Sequence, residues 1–352
     1  MKILGTAIAF FIIILFLSLG GFMAYMTLTD YEPAEVEALP TENNSRGTLA
    51  INTSFSIVTF NIGYCGLDKE QDFFMDGGIQ SRSSSKEQTL TNLKAVYDYL
   101  RQEKPDFILM QEVDVDSTRS FHINQYQSLT KELPEYNSVF GLNYKVAWVP
   151  IPFRKPMGQV NSGLLTFSRF NITGSNRYRY PGEENWPRRI FELDRCFIEN
   201  RIPIENGREL VLINSHLSAF DEGGKIRKIQ LEYLKGHITA EAGKGNYIIA
   251  GGDWNHVLPG SDPASFEASE SWPFWLEYLP EDFTPEGFQW AGDETVPTVR
   301  NLADKYQEKI NFTAVIDGFL VSDNIKILDV KGEQLFFENS DHNPVTGLFI
   351  LE

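Results

Sequence analysis

The sequence has little cysteine: Cys65 and Cys196 are its only two. Two cysteines exclude a disulfide framework, which leaves either a single bridge or two partly buried free thiols. Neither a cysteine cluster nor a paired-histidine spacing of zinc type is present. Positive charge is also scarce, with 31 Lys and Arg against 48 Asp and Glu and a formal net charge of −17. An acidic body repels nucleic acid and anionic membranes at long range, although it leaves room for a local basic groove. No internal repeat is present, which excludes solenoids and arrays. What is plentiful is aromatic residue, 13% of the 352 positions, so a well-filled core is expected in one large domain or two small ones.

Charge is missing altogether from residues 3–29, a stretch that includes Phe10-Phe11-Ile12-Ile13-Ile14-Leu15-Phe16-Leu17. It exceeds the roughly 20 residues that span a bilayer as a helix. Lys2 precedes it, and Asp30, Glu32, Glu35 and Glu37 follow. That bias keeps the N-terminus in the cytoplasm and sends the rest across, giving a single-pass protein with an extracytoplasmic domain. The rival reading is a cleaved signal sequence and secretion, which calls for an apolar run of about 7–15 residues and a small-x-small exit. A buried core helix is a third reading, opposed by the length and the flanks. Residues 30–54 are rich in Glu, Pro, Asn, Ser and Thr without period and read as an acidic linker. The folded domain is expected over residues 55–352.

Within that domain, strand-like and helix-like runs alternate. Phe55-Ser56-Ile57-Val58-Thr59-Phe60 has period two, and residues 86–103 place Leu90, Leu93, Val96, Tyr97 and Leu100 at helical spacing. Pro105 closes that helix, and Asp106-Phe107-Ile108-Leu109-Met110 reads as a buried strand. Further strands are expected at 161–168, 190–198, 209–215, 246–251, 314–321, 325–330 and 345–350, and a helix at 224–241. Many strands and few helices point to two sheets packed face to face with helices outside. Residues 256–312, with Trp272, Trp275 and Trp290, lack period. They read either as an excursion lining a site or as a cover whose tryptophans pack.

Polar residues stand at the ends of these runs. Asn61 follows the first strand and, alone, is a turn former. Glu112, after Gln111, ends an apolar strand, where its carboxylate either meets a hard cation or is solvated. His216 ends Val211-Leu212-Ile213-Asn214-Ser215, where a structural histidine is the plainer reading. Gly251-Gly252-Asp253-Trp254-Asn255 is more informative. The glycines permit close backbone approach, and residues 253 and 255 share a side of an extended segment, with Trp254 turned into the packing. An amide there can stabilise developing negative charge. Asp317, inside Ala314-Val315-Ile316-Asp317-Gly318-Phe319-Leu320-Val321, needs a partner if buried, and an imidazole is a natural one. Ser340-Asp341-His342-Asn343-Pro344 supplies an acid next to a histidine, whose orientation and charge a carboxylate would fix.

Taken in this order, Gln-Glu, Gly-Asp-x-Asn and Ser-Asp-His resemble the endonuclease/exonuclease/phosphatase superfamily, the group of DNase I, abasic-site nucleases and neutral sphingomyelinases. The resemblance covers most of residues 55–350. It implies a four-layer α/β/β/α sandwich of two mixed sheets and Mg²⁺-dependent phosphoester hydrolysis, with Mn²⁺ as a possible substitute. It also implies that Glu112 ligates the metal, with Asn61 and Asp341 nearby. Asp253 and Asn255 would position or activate the water and contact the phosphate, and His216 would stabilise phosphoryl charge. His342, oriented by Asp317, would act as base or charge stabiliser. Asn161-Ser162-Gly163 and Arg119 resemble residues lining such a site. Trp254 replaces the usual Phe, and Gly318 the usual aromatic or His; both are side positions.

The expected function is therefore a membrane-anchored Mg²⁺-dependent phosphoesterase, monomeric in its catalytic domain, acting on a diester or a monoester. A lipid head group, a nucleotide or nucleic acid could each be the substrate. Arg177, Arg179, Arg188 and Arg189, interleaved with Tyr178, Tyr180 and Trp186, read either as an anion grip or as a solvated loop balanced by Glu183 and Glu184. A surface binding protein that has lost turnover is the alternative from another class; the intact polar set opposes it.

Overall fold

Apolar faces on two sets of strands build two sheets. In the computed structural model, which describes residues 2–44 and 47–352, the strands are β1 (Val36–Ala38), β2 (Ser54–Asn61), β3 (Phe107–Asp114), β4 (Asn137–Val149), β5 (Gly158–Ser168), β6 (Gly174–Arg179), β7 (Cys196–Pro203), β8 (Glu209–His216), β9 (Tyr247–Asp253), β10 (Phe288–Ala291), β11 (Asp317–Ser322), β12 (Ile325–Gly332) and β13 (Val345–Leu351). The helices are α1 (Lys2–Leu28), α2 (Lys86–Glu103), α3 (Gln125–Glu132) and α4 (Lys225–Ala242). A six-stranded sheet runs β12-β13-β2-β3-β5-β4, and a seven-stranded sheet runs β1-β6-β7-β8-β9-β11-β10. Both are mixed: β2–β3 and β8–β9 pair in parallel among antiparallel neighbours.

The layers follow from burial. Phe55, Ile57, Phe107 and Leu109 face Ile198, Leu212, Ile249 and Phe319 between the sheets. Leu93, Val96 and Leu100 of α2 and Leu129 of α3 cover Val58, Ile108 and Met110 on the outside of one sheet. Leu231, Leu234 and Ile238 of α4 cover Val211, Ile213 and Ile248 on the other. Each such side chain contributes roughly 1.5–3 kcal/mol on leaving water. The result is the expected α/β/β/α sandwich. Ser85 Oγ caps α2 by accepting from the Gln88 amide, and left-handed Lys104 ends it before Pro105.

Several expectations are corrected. The strand expected at 190–198 is a 3-10 turn, Arg188–Phe191, followed by β7 at Cys196–Pro203. Apolar residues there fill the wall of a cavity instead of a sheet. β1, β4, β6, β10 and α3 were not anticipated; β4 carries Asn, Gly, Tyr, Lys and Trp where a regular alternation would have marked it. The stretch 30–54 is not a free linker. Its β1 pairs with β6, Leu49 is buried in the inter-sheet core, and Asn44 donates to the Ile172 carbonyl, so it is bound along the domain. The portions of the expected anchor and linker at residues 1, 45 and 46 lie outside the described residues. The arginine loop is no free anion grip either. Arg177 is buried and donates to the Leu142 and Asp194 carbonyls, Arg179 pairs with Glu183, Arg188 with Glu184 and Glu192, and Arg189 with Asp30, Glu32 and Glu183. Both cysteines are free and buried.

Candidate active site

The register of the seven-stranded sheet lines up three acid–base groups. His216 ends β8 opposite Asp253 at the end of β9, and Asp253 lies opposite Asp317 at the start of β11. This row depends on Gly252, whose φ is +146° and where a Cβ would stand 1.9 Å from the Ser215 carbonyl oxygen. Trp254 is turned into the packing as expected, with its Nε1 donating to the Gly318 carbonyl at 3.1 Å. Asn255 has a φ of +49°, and its Nδ2 donates to the Leu217 carbonyl.

The six-stranded sheet delivers the other groups. Asn61 ends β2. Glu112 sits at a bulge in β3, between Met110 and Val113, with a φ of +56°. A left-handed glutamate is uncommon, and such strain collects at functional sites. The bulge breaks alternation, so Gln111 reaches across to Asn214 Oδ1 of the other sheet at 2.8 Å while Glu112 turns to the cavity. The loop before β13 closes over both sheets. Ser340 Oγ donates to the Asn61 carbonyl at 2.9 Å, which fixes Asp341 and His342. Gly63, with a φ of +47°, leaves the space that Asp341 Oδ1 occupies, 2.5 Å from where its Cβ would be.

These pieces meet. Asn61 Nδ2 donates to Asp253 Oδ2 at 3.0 Å and to Glu112 Oε1 at 3.5 Å. His216 Nε2 is 3.4 Å, and His342 Nε2 3.7 Å, from Asp253 Oδ2. Asp317 Oδ2 lies 2.8 Å from His342 Nδ1, so Asp317 has an imidazole partner. Asn61, Glu112, His216, Asp253, Asn255, Asp341 and His342 all line one cavity of about 460 Å³; Asp317 stands behind His342.

Electrostatics divide the two histidines. Burial opposes charge on His342, but the charge and hydrogen bond of Asp317, helped by Asp253 and Asp341, push it up to about 10. Burial, then Arg195 and His342, hold His216 well below the ordinary histidine range, so it is neutral. Burial raises Asp253; His342 opposes this and Asp317 adds to it. Burial also pushes Asp341 up to about 6, with His342 opposing and Glu112 reinforcing the shift.

Further groups complete the cavity; the resemblance pointed to Arg119 and Ser162, but nothing in the sequence pointed to Arg195. Arg195, half-buried, precedes β7 and acts on Glu112, Asp253 and His216; a lone arginine before a strand carries no pattern to find it by. Arg119 is within 2.9 Å of Asp114 and 3.8 Å of Glu112, with its guanidinium 3.9 Å above the Tyr64 ring. Ser162, from the Asn161-Ser162-Gly163 segment, lines the cavity. Six buried polar atoms on cavity residues have no protein partner among the described residues: Tyr64 Oη, Asn143 Nδ2, Ser162 Oγ, Arg195 Nη1, His216 Nδ1 and Arg300 Nε. Buried polar groups without partners are uncommon and call for a ligand or water.

The sequence matches the model of the Endonuclease/Exonuclease/phosphatase family over residues 58–342. The chain belongs to that family. Comparison with curated proteins finds no match. Solved structures of the family resemble it. An endonuclease/exonuclease/phosphatase from Beutenbergia cavernae DSM 12333 has a TM-score of 0.57 at 16% identity, over 85% of this chain and 72% of that one. One from Bacteroides vulgatus has a TM-score of 0.53 at 18% identity, over 86% of this chain and 100% of that one. D. rerio TDP2 complexed with single strand DNA product has a TM-score of 0.53 at 16% identity, over 85% and 99%. These likenesses show the family's fold.

Proposed function

We propose that this member of the endonuclease/exonuclease/phosphatase family is a Mg²⁺-dependent phosphodiesterase, anchored by α1 with its catalytic domain on the extracytoplasmic side. The observation that carries the reading is the pairing of a carboxylate cluster with unpartnered buried donors in one cavity. A phosphodiester anion held by a hard cation needs both. The residues present fit the ion. Burial raises Asp341 and the neighbouring Glu112 carboxylate adds to that shift, and Asn61 offers an amide oxygen that accepts from the Gly63 amide. Oxygen ligands of this kind, few in number, suit Mg²⁺, with Mn²⁺ as a substitute. Asp253, Asp317 and His342 also place ligand atoms within 4.8 Å of one another. There the Nδ1 of His342 is committed to Asp317, so that group reads as an acid–base relay and the oxygen set as the metal site.

The bound ion would neutralise phosphoryl charge and lower the pKa of a coordinated water. The chain's own residues do the rest. Asp253 and Asn255 orient the water, and Asp253 accepts its proton as the new P–O bond forms. His216 and Arg195 meet the phosphoryl oxygens. The opposite P–O bond breaks, and the departing oxygen takes the proton that Asp317 keeps on His342. His342 Nε2 and Asp253 Oδ2, 3.7 Å apart, then exchange the proton and reset the site.

The helix Lys2–Leu28 contains an uncharged apolar stretch long enough to cross a bilayer, which supports the anchor. The deciding experiment is hydrolysis of methyl 4-nitrophenyl phosphate by the full chain with Mg²⁺ and then with chelator. Turnover that stops on chelation is expected. Turnover indifferent to chelation defeats the metal assignment, and no turnover with any divalent ion defeats the phosphodiesterase.

A further inference from the structure

The cavity holds more than a phosphoryl group needs. Beyond the polar cluster its wall is apolar, formed by Phe73, Phe74, Met75, Val149, Met157 and Leu193. The same apolar cluster takes in Phe22, Met23 and Met26 of α1. Phe191 lines the cavity, and its ring also stacks on Phe22 with centroids 6.3 Å apart. One layer of side chains therefore separates the cavity from the apolar helix.

Helix length sets the height of the domain above the bilayer. The apolar helix has 26 residues, Ile3–Leu28. About 20 cross the hydrocarbon, so the last turn or two emerges at head-group level. That turn is what touches the domain: Met26 is buried against it, and Trp186 Nε1 donates to Thr27 Oγ1 at 3.2 Å. β4, which contacts α1, ends beside exposed Trp148, and the loop after it carries Ile151 and Phe153. Phe153 is 90% exposed and is followed by Arg154 and Lys155. Exposed aromatics beside basic residues suit the interface of an anionic bilayer. Val149 and Ile151 line the cavity mouth beside this loop.

We propose that the substrate is an amphiphilic lipid phosphodiester drawn from the membrane that carries α1. Its phosphoryl group meets the donors and carboxylates, its acyl chain lies along the Phe73–Met75–Met157 wall, and the Phe153 loop dips into the head groups. The proposal rests on the phosphodiesterase reading. A nucleic acid fits less well: the net charge is −17, and Arg177, Arg179 and Arg189 are already engaged within the protein.

The test uses the full chain in phosphatidylglycerol-containing nanodiscs with Mg²⁺. Lysophosphatidylcholine is compared with glycerophosphocholine, and lysophosphatidylglycerol with glycerophosphoglycerol. At least one acylated member should show kcat/KM tenfold or more above its deacylated counterpart, through KM. Met75→Glu, a half-buried wall position, should erase that ratio, read within the variant as acylated against deacylated kcat/KM. Phe153→Ser, too exposed to unfold the domain, should slow lipid turnover in the same way. Equal rates with and without the chain, a ratio unmoved by Met75→Glu, or a preference for single-stranded DNA over every lipid overturns the lipid inference. Retained turnover of methyl 4-nitrophenyl phosphate then leaves the phosphodiesterase standing, whereas its loss in the parent chain overturns both.

Discussion

His342 keeps a proton at neutral pH because Asp317 stands 2.8 Å behind its Nδ1 and outweighs the burial that opposes the charge. In the proposed mechanism, removing the imidazole removes the acid that protonates the departing oxygen. His342→Ala is expected to cut kcat by about 10²–10⁴ with unchanged circular dichroism; a mutant near the parental rate would take His342 out of the mechanism. Asp317→Asn should act through His342. It should lose most of the rate and shift the alkaline limb of the kcat profile to lower pH, because the imidazole loses the charge that held its proton. Much of this was legible in sequence. An aspartate inside an apolar strand demands a partner, and Asp341-His342 offered one. Arg195 and Asn143 were not legible, because their common feature, a polar atom without a protein partner among the described residues, exists only once the chain is folded; Ser162, which shares it, was reached through the Asn161-Ser162-Gly163 resemblance.

Whether that row of side chains forms at all depends on how β8 and β9 lie together. Gly251 and Gly252 were readable as a place of close approach, and the structure gives the reason: Ser215's carbonyl occupies the space a side chain at 252 would need. Gly252→Ala is expected to destabilise the fold by about 2–4 kcal/mol through overpacking and a strained φ. Gly174→Ala, with open space around it, is the control. Urea midpoints decide this; equal midpoints for both variants would mean that the sheet yields at 252. Strands with regular alternation were found in the sequence, while β1 and β6 were not. β1 is three residues of edge strand in an acidic stretch, held by pairing with β6 and not by its own apolar face. Glu112 shows the same limit on a smaller scale. Its position after an apolar run was visible, but the bulge that turns it to the cavity is set by pairing with β5.

The proposed metal site would couple ion binding to the stability of the whole molecule. An ion that binds only the folded chain stabilises it by mass action, about 2.7 kcal/mol at a hundredfold excess over its Kd. Mg²⁺ should therefore raise the Tm of the parent chain. Glu112→Gln should abolish the rise while leaving the Tm in chelator the same or higher, since it removes charge beside Asp341. A Glu112→Gln chain that Mg²⁺ still stabilises fully would move the ion elsewhere.

A second whole-molecule effect is read without the ion. Asp76 lines the cavity and accepts from Trp275 Nε1, yet burial pushes its carboxyl up to about 7. In the unfolded chain it titrates near 3.9. Between about pH 4 and pH 7 the folded state holds a proton that the unfolded state has released, so stability falls as pH rises through that window and levels off above it. Water still reaches the site, so the loss is about 1–2 kcal/mol. Asp76→Asn keeps an oxygen for Trp275 and cannot titrate. Measured in chelator by urea unfolding from pH 4 to pH 8, it should flatten the decline and be the more stable chain at pH 8. Parallel curves for parent and variant would mean that Asp76 sheds its proton as readily folded as unfolded. The apolar wall would then hold a carboxylate charge at neutral pH, beside the surface on which an acyl chain is proposed to lie.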